Sequence, residues 1–147
     1  MARQHILGVA AALLVLSLAG PAFAQEAPYR QGSVWDLTFV KTKPGMTDDY
    51  LKGLATSWKS EMEEAKKEGL ILSYKILSAN SSDRNDWDLM LMIEYKNWAA
   101  FDGLDEKFRA LDAKIIGTED QQRNMMVKRL DIREIIGGKS AQELILK

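Results

Sequence analysis

Two segments of the sequence alternate so that both of their faces would be partly apolar. In SVWDLTFVK (33–41), Trp35, Leu37 and Phe39 share one face, and two valines lie on the other. In DWDLMLMIEY (86–95), five large apolar residues share one face and two methionines the other. Successive side chains of a strand point to opposite sides, so each segment predicts a β-strand. A sheet of such strands needs helices on one face and a further apolar partner on the other.

Between and around these strands, turn residues and helical spacing predict further elements. Apolar residues at steps of three and four predict a helix over 47–68, with Thr47 as its N-cap and Gly69 after its end. Residues 70–79 alternate as a second strand. NSSDRN (80–85) has the composition of a hairpin loop that joins this strand to the third.

The C-terminal part of the chain predicts two helices and a last strand. A clean amphipathic stripe predicts a helix over 98–116, and a Thr-x-x-Gln capping box begins another that extends to about residue 136. Residues 130–136 also alternate, so a strand is the alternative there. The double glycine 137–138 is expected to stop either element. AQELILK (141–147) then predicts a short closing strand.

The predicted order is strand, helix, strand, strand, helix, helix, strand. This is an α+β, ferredoxin-like split βαβ pattern with a four-stranded antiparallel sheet and an extra helix before the last strand. One domain over 33–147 is expected, after an exposed lead-in at 25–32. The sheet face away from the helices is predicted to meet a second copy of the chain, with Met90 and Met92 in a homodimer interface.

The first 24 residues have the composition of a secretory signal peptide. Arg3 precedes an apolar run of 13 residues, and Ala22-Phe23-Ala24 fits the small-x-small cleavage pattern. The alternative is an anchor helix, but spanning a bilayer takes roughly 20 apolar residues. We therefore predict cleavage near Ala24, a periplasmic or secreted protein, and no stable membrane anchor.

Cleavage would limit the chemistry available to the protein. It removes His5, the only histidine, and the sequence has no cysteine. This excludes a histidine base, a cysteine nucleophile, a disulfide, a His-ligated haem and a typical zinc site, so no cofactor or metal is expected. Loss of Arg3 leaves 19 basic against 21 acidic residues. Without a basic cluster, a nucleic-acid partner is not expected.

Two local segments carry a resemblance to a known superfamily. The first strand runs into KPG (43–45), and IEYKNW (93–98) leads from the third strand toward Phe101. Over about 33–116 and the last strand, the chain resembles the dimeric α/β-barrel superfamily, in its antibiotic-biosynthesis-monooxygenase-like and NIPSNAP-like branch. The resemblance implies two ferredoxin-like sheets packed face to face. Some relatives oxidise phenols without a cofactor, and others degrade haem. Several place a histidine on the second helix, which this chain lacks.

A pocket between sheet and helices is predicted to bind a small apolar or aromatic molecule. The aromatic candidates could equally fill the core, and the asparagine among them could be only a helix cap. Three arginines of the predicted third helix could bind a carboxylate or lie as surface charges. The arginines are Arg123, Arg129 and Arg133. The candidate ligand-binding residues are Trp35, Trp58, Tyr74, Asn97, Trp98 and Phe101.

Three functions remain open from the sequence. The first is a dimeric binding protein for a small apolar or aromatic molecule. The second is a cofactor-independent monooxygenase that acts on a phenolic substrate, since such chemistry can proceed with polar positioning groups alone. The third is a structural or stress-related dimer without a ligand.

Overall fold

The computed structural model describes residues 26–80, 83 and 85–147. The predicted signal peptide and residues 81, 82 and 84 of the predicted hairpin loop lie outside the described residues. Within the described ranges, no helix combines the length and the apolar character that a membrane crossing requires.

The described chain folds as a sheet with helices between its strands. The sheet order is β2-β3-β1-β4, and every neighbouring pair is antiparallel, which confirms the predicted ferredoxin-like α+β fold. The elements are β1 (Tyr29–Thr42), α1 (Thr47–Gly53), a π-helical segment (Leu54–Trp58), α2 (Lys59–Lys67), β2 (Ser73–Ser78), β3 (Leu89–Tyr95), a 3₁₀ turn (Trp98–Phe101), α3 (Leu104–Ile115), α4 (Glu119–Leu130) and β4 (Arg133–Leu146).

One face of the sheet forms the hydrophobic core with the helices. Val34 pairs with Tyr95 and Val40 with Leu89 across β1 and β3, and all four side chains are buried. Because alternate side chains of a strand point to the same side of the sheet, these four residues all face the helices. The helix-layer residues buried against them are Tyr50, Leu54, Trp58, Met62, Ala65 and Leu111.

The opposite face of the sheet is also apolar, and we call it the open face. Phe39 pairs with Met90 and Leu37 with Met92 across β1 and β3. The two-faced character predicted for these strands is therefore confirmed. Trp87, predicted on the face of Leu89 and Tyr95, is an exception, because it precedes β3 and its ring centroid lies 5.8 Å from that of Phe39. None of the side chains of the open face is fully buried in the single chain, and Leu77 is exposed. The open face comprises Trp35, Leu37, Phe39, Leu77, Met90 and Met92.

The predicted helix over 98–116 is interrupted. Gly103 takes a left-handed conformation with φ of 65° between the 3₁₀ turn and α3, which few residues other than glycine adopt. Asn97 precedes the 3₁₀ turn but makes no side-chain capping hydrogen bond. The prediction of Thr47 as an N-cap was also wrong, because Met46 occupies that position and the Thr47 hydroxyl lies 2.7 Å from that of Thr42.

The C-terminal prediction was wrong in its boundaries. The capping box of Thr118 and Gln121 is present, but α4 ends at Leu130 and β4 already begins at Arg133, so the strand alternative holds. The double glycine lies inside β4. Phe39 pairs with Gly137 and the next residue of β1 with Ile135, so one residue of β4 is left over in a bulge. Glycine is compatible with such a bulge, and the strand continues through it.

Most of the lead-in predicted at 25–32 is exposed, but its second half is already part of a strand. Tyr29 pairs with Leu146 and Gln31 with Leu144, so these exposed residues already belong to β1. As a result β1 and β4 are each 14 residues long, twice the length of β3. Residues 29–31 of β1 pair with β4 but not with β3.

Candidate functional site

A cavity of about 310 Å³ lies between the core face of the sheet and the helices, and we call it the sheet–helix cavity. β1 contributes Asp36 to its wall and β3 contributes Tyr95. Glu61 comes from α2 and Phe108 from α3. Its volume is at the small end of the range typical of ligand sites, which suits a molecule of one or two rings.

Aromatic rings form the apolar part of the cavity wall. Tyr95 and Phe101 lie with ring centroids 4.6 Å apart, within the range of favourable aromatic pairing. Phe101 reaches this position because the 3₁₀ turn and the break at Gly103 fold it back toward β3. Trp58 ends the π-helical segment, a helix irregularity that is frequent at functional sites.

Three carboxyl groups complete the wall: Asp36, Glu61 and Asp105. The pKa of Glu61 is raised to about 7, mainly by burial and also by the Asp112 carboxylate, with Arg129 partly offsetting both. Burial likewise raises the pKa of Asp112. Glu61 can therefore gain or lose a proton near neutral pH, a property that is common at functional sites.

The tyrosine of the wall is held in its neutral form. Burial raises the pKa of Tyr95 to about 12, with smaller contributions from the carboxylates of Asp36 and Glu61. Asp36 in turn accepts a hydrogen bond of 2.9 Å from the Ser140 hydroxyl on β4. The wall thus offers one phenol hydroxyl and several carboxyl oxygens to a bound molecule.

The raised pKa of Glu61 predicts a pH-dependent stability. The folded protein binds more protons than the unfolded chain between pH 4.5, the ordinary pKa of Glu61, and about pH 7, so stability falls as pH rises through this window. We expect Glu61→Gln to raise the free energy of unfolding at pH 8, relative to wild type, by more than at pH 4.5.

Urea titrations of wild type and Glu61→Gln at both pH values measure this difference in the free energy of unfolding. Glu106→Gln, at an exposed position of α3, controls for the loss of one charge. Equal effects of Glu61→Gln at both pH values would contradict the assignment.

The structure brings together only some of the residues predicted for the site. Trp58 and Phe101 line the sheet–helix cavity. The Tyr74 ring packs edge-on against Trp58 at 5.2 Å, but it lines a neighbouring hollow of about 190 Å³, and its hydroxyl donates to Glu63 at 2.5 Å. Tyr74 therefore supports the position of Trp58 from outside the cavity.

The other three predicted residues lie elsewhere. Trp35 is on the open face, where the Lys75 ammonium lies 4.3 Å from its ring centroid. Asn97 is exposed, and Trp98 is half exposed with its Nε1 donating to the Gln142 side chain at 3.1 Å. The alternative of Trp98 as a core aromatic is therefore wrong.

The predicted arginines do not line the cavity. Arg129 donates to the Ser57 hydroxyl at 2.7 Å, next to the π-helical end that carries Trp58. Arg133 is buried at the start of β4, with its guanidinium 5.7 Å from the Tyr50 ring centroid. Arg123 forms an exposed ion pair with Asp120 on α4. A carboxylate ligand bound by these arginines has no support in this arrangement.

Four residues of the cavity wall were not identified from the sequence as site candidates. They are Glu61, Asp105, Tyr95 and Phe108. Glu61 follows Trp58 by three positions on the helix, so it borders the apolar stripe. Its position in the same cavity wall as Asp36 and Tyr95 depends on the packing of the helix on the sheet. The signal available was an acidic residue beside an aromatic stripe, which more often marks the edge of a solvated face.

A second hollow, of about 410 Å³, lies beside the end of β1. Its Asp88 carboxylate accepts hydrogen bonds from the Thr42 amide at 3.0 and 3.1 Å and from the Thr42 hydroxyl at 2.7 Å. Asp88 is therefore committed to holding β1 and the segment before β3 together. Among the described residues, no group of three or more acidic or histidine side chains could hold a metal ion.

Comparison with known proteins identifies a similar backbone but no family. No protein-family model matches the chain, and no curated protein matches it. Similar solved structures include a protein from Shewanella oneidensis, with 15% identity, 80% of this chain and 96% of that chain covered, and a TM-score of 0.49. A dimeric ferredoxin-like protein from an uncultured marine organism has 12% identity, coverage of 80% and 98%, and a TM-score of 0.48. HapK from Hahella chejuensis has 10% identity, coverage of 75% and 91%, and a TM-score of 0.46. Likenesses this remote say nothing about activity.

Proposed function

We propose that the protein is an exported homodimer that binds a small aromatic molecule in the sheet–helix cavity. The observation that carries the proposal is the cavity itself, in which the rings of Trp58, Tyr95, Phe101 and Phe108 surround a few carboxyl groups. Mostly apolar walls with a small number of polar groups are typical of small-molecule sites. The signal-like composition of residues 1–24 supports export.

The open face supports the homodimer. Monomeric soluble proteins rarely leave a large contiguous apolar patch in water, and a two-fold contact can cover identical patches on two copies at once. Lys75 and Lys139 lie over the rings of Trp35 and Phe39, and Glu94 projects from the same face. A two-fold contact would allow these lysines to meet the acidic residue of the other copy. Such a dimer would match the antibiotic-biosynthesis-monooxygenase-like and NIPSNAP-like branch that the sequence resembles.

Methionine methyl resonances test the binding proposal. The protein is labelled with methyl-¹³C methionine and titrated with phenol, benzyl alcohol and benzylammonium. Because Met62 lines the cavity and Met126 is exposed on α4, at least one compound is expected to shift the Met62 resonance saturably and leave Met126 unchanged. Binding to the open face would instead shift Met90 and Met92.

A cavity-filling variant is the control for this titration. Leu104→Trp adds a large side chain to the cavity wall, and we expect it to abolish the Met62 shift. Leu130→Trp makes the same change at an exposed position of α4 and should bind as wild type does. If none of the three compounds shifts Met62 saturably, the proposal is wrong.

A second candidate is favoured by the position of Glu61. With its pKa raised to about 7, Glu61 could accept the proton of a phenol in the cavity and so prepare it for reaction with O₂. If the substrate carries an oxidisable CH₂ group, that group becomes C=O and the second oxygen atom leaves as water, so no reductant is needed. O₂ uptake with such a substrate, lost in Glu61→Gln although binding persists, would favour the oxygenase over the binding protein.

A further inference from the structure

We propose that the sheet–helix cavity selects organic ammonium ions that carry an aromatic ring, rather than neutral or anionic aromatic molecules. The inference rests on the proposed binding function and specifies the charge of the ligand. Its basis is the combination of aromatic rings and acidic groups in one wall, since aromatic faces and carboxylates both attract cations.

The acidic groups of the cavity come from three different elements. Asp36 lies on β1, Glu61 on α2 and Asp105 on α3. None of the described residues that line the cavity is basic. A molecule in the cavity therefore has carboxyl groups from three elements around it, and each carboxylate attracts a positive charge on that molecule. An anion would meet repulsion from the same groups.

The aromatic residues suit the same kind of ligand. Tyr95 and Phe101 pack at 4.6 Å between centroids and present a joint aromatic surface, and Trp58 and Phe108 contribute further rings. Cations bind over such ring faces, most strongly over tryptophan, while the ring of the ligand packs against the remaining apolar wall. The cavity wall can thus contact both the ammonium group and the aromatic ring of such a ligand.

Arg129 reduces this preference without reversing it. It approaches Glu61 and Asp112 from α4 and lowers the pKa of both groups, but it does not line the cavity, and its guanidinium donates to Ser57. Asp112, on α3, adds a further negative charge beside Glu61. The charge facing the cavity therefore remains acidic above the pKa of Glu61.

Three compounds that share a benzyl or phenyl group test the selection. Benzylammonium and benzyl alcohol have the same number of heavy atoms and differ in charge, and benzoate carries the opposite charge. At pH 8, where Glu61 is mainly ionised, we expect benzylammonium to bind about tenfold more tightly than benzyl alcohol, as judged by the Met62 resonance, and benzoate not to bind.

Neutral variants of the wall locate the source of the selection. Glu61→Gln and Asp36→Asn should each weaken benzylammonium binding by several-fold more than they weaken benzyl alcohol binding, whereas exposed Glu106→Gln should affect neither. Benzyl alcohol or benzoate binding as tightly as benzylammonium in wild type would overturn the inference and leave the proposed binding function standing. Binding of none of the three would overturn the inference, and failure of phenol to bind as well would contradict the proposed binding function.

Discussion

Met90→Asp is expected to convert the proposed dimer into a monomer, halving the mass measured by size-exclusion chromatography with light scattering. Met90 lies on the open face between Phe39 of β1 and Leu77 of β2. In the proposed dimer a carboxylate at this position would be enclosed by apolar side chains. Burying an unpaired charge costs several kcal/mol, enough to dissociate most dimers at micromolar concentration.

The matched control places the same change on another exposed methionine. Met126 lies on α4, and 64% of its surface is exposed, so Met126→Asp should remain dimeric. Met90 is only partly buried in the single chain, so the Met90→Asp monomer should keep the circular dichroism of a folded α+β protein. A monomeric wild-type protein, or a Met90→Asp variant that stays dimeric, would show that the open face is not the interface.

The strand faces could be predicted from the sequence because their pattern is local. A period of two directs Leu89 and Tyr95 to one side and Met90 to the other, whichever strand lies next to β3. The order of elements then left few topologies, and the ferredoxin-like sheet is the one observed. Hydrophobic periodicity and connection rules were sufficient for this part of the fold.

The boundary between α4 and β4 could not be predicted because two periods overlap there. Ile132 and Ile136 fit the helical stripe that begins earlier, and the same segment also alternates as a strand. Pairing with β1 decides between them, since it satisfies the backbone of Arg133 and of most residues after it in β4. The glycine pair gave a misleading stop signal, because Gly137 and Gly138 both pair with β1 inside β4, next to the bulge.

The candidate site depended on contacts that a one-dimensional pattern does not contain. Trp98 fits an apolar stripe, but the break at Gly103 rotates the turn that carries it, and its ring lies half exposed. Glu61 borders an apolar stripe as many surface acids do, and the packing of α2 against the sheet and α3 partly buries it beside Tyr95. Aromatic content predicted a pocket between sheet and helices, whereas the positions of Glu61 and Asp105 in its wall depend on how the helices pack on the sheet.

Leu111→Ala is the substitution with the largest expected effect on stability. Leu111 lies on α3 with 2% of its surface exposed, inside the core between helices and sheet. Removing three buried carbon atoms loses their transfer free energy and leaves a cavity, so we expect the free energy of unfolding to fall by about 2–5 kcal/mol. Alanine favours helix at least as well as leucine, so the loss would not come from α3 itself.

Leu130→Ala makes the identical chemical change at the end of α4, where 56% of the leucine surface is exposed. We expect it to change the free energy of unfolding by less than about 0.5 kcal/mol. Urea titrations at one fixed protein concentration measure both variants, because dissociation of a dimer would make apparent stability depend on concentration. Similar losses at the two positions would mean that α3 does not pack on the sheet through Leu111, and the wall of the sheet–helix cavity that α3 provides would have to be reassigned.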